Sequence, residues 1–143
     1  MKPPCVVVVR HILPAIRAMT ARELVEEYGL KRIDVARRIG TTPAAVTQYL
    51  EEARGKMAVS IVYSSEKATG IISQIAEALA KSEASTYDVM VKTCEACRVI
   101  RSEGLICEMH KETLPALKGR AACGLPIHLC PILNPKKILE KRV

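Results

Sequence analysis

Four residues able to ligate a metal fall in two short pairs: Cys94 with Cys97, and Cys107 with His110, within CEACRVIRSEGLICEMH. Thiolates and a neutral imidazole suit a tetrahedral ion, which needs four donors at about 2.0–2.3 Å. Two pairs that each donate both members would deliver that set from one local segment. The stretch ACRVIRSEG reads as a short helix, with Gly104 turning the chain back. A closed Cys₃His zinc shell would stabilise a module short of its own core and leave no open position for a catalytic water.

Two other readings of these residues stand beside zinc. Three cysteines within fourteen residues can hold an iron–sulfur cluster, with His110, Cys123 or Cys130 as fourth ligand. The usual ferredoxin spacing is missing, because nine residues separate Cys97 from Cys107. Alternatively, Cys94 and Cys97 are a redox-active or merely buried pair and His110 is a surface residue. Thioredoxin-like exchange needs a βαβ context that the sequence lacks. Cys123 and Cys130 can replace His110 or remain thiols. His128 reads as a surface or packing residue. His11 reads the same way, with a DNA or interface contact as the alternative.

The whole chain limits what such a site serves. It has 143 residues, six cysteines, no Trp or Phe, and a formal net charge of +7. Six cysteines in a reducing compartment fit metal or thiols better than a disulfide framework. The apolar run Val6–Val9 is too short for a signal core or a membrane span, so a cytoplasmic location is expected. The core must be aliphatic. The positive charge attracts polyanions, and the scarcity of aromatics argues against a stacking platform for single-stranded nucleic acid.

The elements that would position these groups are helical, so the expected fold is mainly α. PAIRAMTARELVEEYG places Ile16, Met19, Leu24 and Tyr28 on one stripe, and Gly29 supplies a stop. CVVVVRHIL, after Pro3 and Pro4, reads as helix, with strand as the alternative because it is β-branched. MAVSIVYSSE reads as a short strand or extended linker, which sets a domain boundary near residue 60. TGIISQIAEALAKS returns to helical periodicity. Its apolar residues Ile71, Ile72, Ile75 and Leu79 form either a homodimer surface or the seam between domains. The chain after Lys118, with Gly119, Gly124, Pro126, Pro131 and Pro135, reads as an irregular tail.

RIDVARRIGTTPAAVTQYLEEARG, residues 32–55, carries a second kind of chemistry. Two short helices, Arg32–Ile39 and Pro43–Glu51, are joined at Gly40, which suits a left-handed turn. Thr42 caps the second helix and Pro43 opens it. Ala36 is small where the helices cross, while Val35, Ile39, Val46, Tyr49 and Leu50 face the core. Ala44, Ala45, Thr47 and Gln48 are left on or beside the outward face. Gln48 suits a bidentate contact to adenine, Thr47 offers its hydroxyl or its methyl, and Ala44 or Ala45 suits a thymine methyl. Lys31, Arg32, Arg37, Arg38, Arg54 and Lys56 are placed to meet phosphates, which fix position rather than sequence.

From CVVVVRHILPAIRAMTARELVEEYGL through IDVARRIGTTPAAVTQYL, the chain resembles a family of predicted archaeal transcriptional regulators with a phage-repressor-like helix–turn–helix. In that family a small cysteine-containing region follows, to which CEACRVIRSEGLICEMH is similar. The resemblance is good over about the first 56 residues, moderate over 94–110, and weak elsewhere. It implies a regulator that binds double-stranded DNA, without implying a promoter or an effector.

The expectation is therefore a DNA-binding domain over 1–60 and a helical accessory or dimerisation region over 61–143, with the metal module at 94–110. Catalysis is not expected. A protein-interaction module whose basic surface does not read sequence is the rival reading. A homodimer is expected, since two copies reading half-sites one turn apart would supply the contacts that one helix–turn–helix lacks.

Overall fold

In the computed structural model, which describes residues 5–52, 57–113 and 115, the chain enters as a helix that changes pitch. Helix α1 (Cys5–Val7) widens into a π-helical turn, Val8–Ile12, and continues as α2 (Leu13–Glu26). The Leu13 N–H reaches back five residues to the Val8 carbonyl. Pro14, the second residue of α2, explains the widening: it has no N–H to donate, and its ring presses on the carbonyl four residues earlier. The β-branched CVVVVRHIL stretch is thus helical from Cys5, not a strand. Pro3 and Pro4 lie outside the described residues.

Helix α2 is the central element, packing against α3 (Arg32–Ile39), α4 (Pro43–Glu52), α5 (Met57–Tyr63), α6 (Glu66–Ala80) and α7 (Thr86–Ser102). Ala15, Ala18 and Ala21 are buried along with Ile16, Met19 and Leu24, so small residues alternate with large ones around its circumference. This lets several helices approach one axis in a chain that has no Phe or Trp to fill wider gaps. Thr20, buried among them, donates its hydroxyl to the Ile16 carbonyl at 2.9 Å, which removes the cost of a lone buried hydroxyl. Tyr28, expected on the same stripe, lies beyond the end of α2 and is exposed.

Helix α5 corrects the reading of MAVSIVYSSE as a strand or extended linker. Residues Met57–Tyr63 are helical, with Ala58, Val59 and Val62 buried. Their spacing puts them on one face of a helix, which packs against α2 and α6. Burial of that face overrides the β preference of Val59, Ile61, Val62 and Tyr63.

Local signals set the starts of α6 and α7. Ser65, only 1 % exposed, accepts from the Ala68 N–H at 3.1 Å. Ser85 and Asp88 form a reciprocal capping box at the start of α7. Ile71, Ile72, Ile75 and Leu79 are all buried within the chain, where α6 packs against α2 and α7. The stripe expected at a homodimer surface or a seam between domains is thus covered within the chain. One connected core of buried residues runs from Val7 to Met109, with members on both sides of residue 60.

Helix α7 ends at a left-handed Gly104 (φ 71°). There the Leu105 N–H returns to the Ile100 carbonyl at 3.3 Å, and α8 (Cys107–Thr113) follows and packs on α1. Ile100 and Ile106 are buried on either side of the turn. Among the described residues there is no strand, and no helix is long and apolar enough to cross a membrane. The tail expected to be irregular lies outside them.

Candidate functional site

Residues 32–52 form two helices whose junction follows from three local choices. Gly40 adopts φ 69° and ψ 43°, and its N–H donates to the Ala36 carbonyl. The Thr41 N–H donates to the same carbonyl at 2.8 Å, so α3 closes with a compact left-handed cap. A Cβ added at Gly40 would meet nothing within 4 Å; glycine is needed there for its conformation and not for space. The Thr42 hydroxyl then accepts from the Ala45 N–H at 3.2 Å, capping α4, and Pro43 occupies its first position.

The inward residues of this pair are Val35, Ala36 and Val46, all at most 2 % exposed. Ile39, Tyr49 and Leu50 pack half-buried against the core. On the opposite side of α4, Ala44 and Gln48 are exposed and Ala45 and Thr47 half-exposed. These are the four residues expected to face outward. Ile33 on α3 is 57 % exposed, an apolar group that hydrophobic character alone would assign to the interior.

The basic residues divide into two groups. Lys31, Arg32 and Arg37 are exposed around α3. Arg37 makes a loose ion pair with Asp34 at 3.7 Å, and Arg32 Nη1 donates to the Thr47 hydroxyl at 3.2 Å. Arg38 differs. Its Nη1 donates to the carbonyls of Leu79 and of Ala80 (2.9 Å) and to the hydroxyl of Ser82 (2.8 Å), all at the C-terminal end of α6. Arg54 and Lys56, expected at phosphates, lie outside the described residues.

The cysteine–histidine pairs sit on two different helices. Cys94 and Cys97 are one turn apart in the middle of α7, and Cys107 and His110 one turn apart on α8. The three thiols are half-buried, and His110 is 1 % exposed. A Cβ on Gly104 would lie 3.7 Å from Cys107 Sγ, which places that sulfur over the turn. Among the described residues no three His, Cys, Asp or Glu side chains are gathered to hold a metal ion. As placed, the four donors do not make a coordination shell. Cys123, Cys130 and His128 lie outside the described residues.

His11, exposed on the π turn, lines a cavity of about 360 Å³ between the N-terminal helices, α5 and α8. The other lining residues are apolar, with Pro14, Ala18, Met57 and Met109 among them.

The contact that sequence reasoning missed is that of Arg38 with the end of α6. Its partners lie 41 to 44 residues away, and Ser82 takes up φ 57° without being glycine. No local signal announces either feature. Comparison with protein-family models, curated proteins and solved structures finds no match for this chain.

Proposed function

We propose that residues 32–52 are a helix–turn–helix that binds double-stranded DNA, with α4 as the helix entering the major groove, and that the protein is a non-catalytic regulator of transcription. The observation that carries this reading is the division of α4 into two faces. Val46 is fully buried, while Ala44 and Gln48 stand exposed on the far side. A helix held on one face by a left-handed turn and a capped start, with small residues and an amide on the other, suits close approach to base edges. Exposed Lys31, Arg32 and Arg37 and a formal charge of +7 supply the phosphate attraction.

The test is selection of bound duplexes from a random pool, followed by salt titration of the selected and a scrambled duplex. Gln48→Ala should weaken selected binding by about 1–3 kcal/mol and leave the salt slope unchanged. Arg37→Ala should weaken both duplexes alike and reduce the slope by about one. Equal binding of every variant to every duplex would leave only the alternative reading, a protein-interaction module with a non-reading basic surface.

A second, separable proposal concerns Cys94, Cys97, Cys107 and His110 as structural zinc ligands. What favours it is that the two pairs each span one helical turn on helices joined at the Gly104 turn, with His110 almost wholly buried. Forming a shell requires the donors to come together from their present positions, since they are not gathered as they stand. Metal analysis and an optical spectrum on anaerobically prepared protein test it. One zinc per chain supports the proposal. Iron with sulfide and broad visible absorption supports the cluster, and metal-free folded protein overturns both.

A further inference from the structure

We infer that Arg38 is a positioning residue that locks the α3–α4 pair onto the end of α6, and not one of the residues that meet DNA phosphates. The inference deepens the DNA-binding reading and rests on it only where affinity is measured.

Arg37 and Arg38 are adjacent and chemically identical, yet their surroundings oppose each other. The Arg37 side chain is 76 % exposed. Arg38 is half-buried, and its Nη1 shares its protons among two carbonyls and a hydroxyl contributed by Leu79, Ala80 and Ser82. A helix C-terminus carries carbonyls that lack intrahelical partners, and their aligned dipoles attract a cation.

At the end of α6 the chain's own donors satisfy part of this demand. The Lys81 N–H goes to Glu77 at 3.0 Å, Ser82 to Leu79 at 3.2 Å and Glu83 to Ala78 at 3.1 Å. Arg38 adds a donor to the Ala80 carbonyl. It also binds Oγ of Ser82, which holds the left-handed conformation that L residues disfavour. The cap of α6 is therefore completed by a side chain from α3. Binding a phosphate through Nη1 would require Arg38 to surrender these acceptors together.

The position of this contact gives it a mechanical consequence. Ser82 lies in the turn between α6 and α7, three residues before the Ser85 cap of α7. Arg38 therefore ties the proposed reading unit to the junction of the two helices behind it, and sets the angle at which α4 is presented.

Amide hydrogen exchange and salt titration on Arg38→Ala, Arg38→Lys and Ser82→Ala in the full chain test the inference. Arg38→Ala should speed exchange at Lys81, Ser82 and Glu83 on the order of tenfold. It should leave the salt slope of DNA binding unchanged while narrowing the ratio of selected to scrambled affinity. Lysine keeps the charge but its ammonium ends one bond short of the position of Nη1, from which all three contacts are made, so Arg38→Lys should fail to restore either exchange or selectivity. Ser82→Ala, which leaves the charge and most of the packing in place, should raise exchange in the same turn by a smaller factor.

Unchanged exchange in Arg38→Ala, or a slope reduced by about one and rescued by lysine, overturns the inference. If the native chain binds no duplex, the DNA-binding proposal fails by itself, and the exchange measurements still decide whether Arg38 locks the two units.

Discussion

Arg32 on α3 and Thr47 on α4 are joined through their side chains, Nη1 donating to Oγ1 at 3.2 Å, and the Thr47 hydroxyl is also 3.2 Å from the Pro43 carbonyl that accepts its proton. The hydroxyl is thus engaged within the protein on both its donor and acceptor sides. What Thr47 has left for a partner is mainly its methyl group.

That division predicts opposite results for two conservative changes. Thr47→Val keeps a methyl and loses the hydroxyl; Thr47→Ser does the reverse. If the methyl rests on a thymine, Thr47→Ser should lose about 0.8 kcal/mol of preference for the selected duplex, roughly a fourfold effect. Thr47→Val should keep the preference. Competition binding with thymine replaced by uracil at each position checks the pairing, because removing the base methyl should abolish the difference between the two variants.

Gly40→Ala isolates a conformational cost. Nothing lies within 4 Å of an added Cβ, so the whole effect comes from holding an L residue at φ 69°. The expected loss is about 1–2 kcal/mol, with Gly40→Asn losing less. Urea unfolding at an unchanged m-value measures it. A neutral Gly40→Ala would mean that the turn adopts a different backbone in solution.

Ser65→Ala removes a cap whose hydroxyl is buried at the start of α6. The Ala68 N–H would lose its side-chain acceptor in a place shielded from water. The loss should be about 1–2 kcal/mol. Ser65→Asp keeps an acceptor but introduces a charge at a site only 1 % exposed, so it should not restore full stability. Thermal unfolding of the two variants, compared with native chain, is sufficient.

How far these features are legible in the sequence depends on how local their causes are. The bounds of α3 and the start of α4 are readable because Gly40, Thr42 and Pro43 act within a few residues of themselves. Helix α5 is not, because Val59, Ile61, Val62 and Tyr63 favour strand until α2 and α6 bury one face of them. The apolar stripe of α6 is legible as a stripe, but its partner is not. Periodicity reports that Ile72 and Ile75 must be covered, without reporting that α2 and α7 cover them. The same limit applies to the cysteines. Spacing puts Cys94 beside Cys97 and Cys107 beside His110, but the angle at the Gly104 turn decides whether the pairs meet. Arg38 is the extreme case, since its role depends wholly on residues more than 40 positions away.

Acid should loosen α7 from its N-terminal end. The Asp88 carboxylate is held below its ordinary value, first by the Ser85 hydroxyl and then by the Ser85 backbone N–H. The two donors lie at 2.5 and 2.9 Å from Oδ2. A carboxyl depressed in the folded state contributes stability that is fully present above its unfolded value, about 3.8. That contribution is lost as pH falls through the lower folded value. Exchange of the amides at the start of α7 should therefore quicken below about pH 4, relative to those near its centre, while remaining flat between pH 5 and 8. Asp88→Asn should show the quickened exchange already at neutral pH and lose the acid dependence of this end. Because the two Ser85 hydrogen bonds outweigh the attraction of Lys92, added salt should change the effect little. An Asp88→Asn chain that still responds to acid at this terminus would assign the titration to another carboxylate. Glu77 is the first to examine, since Lys81 also holds it below its ordinary value.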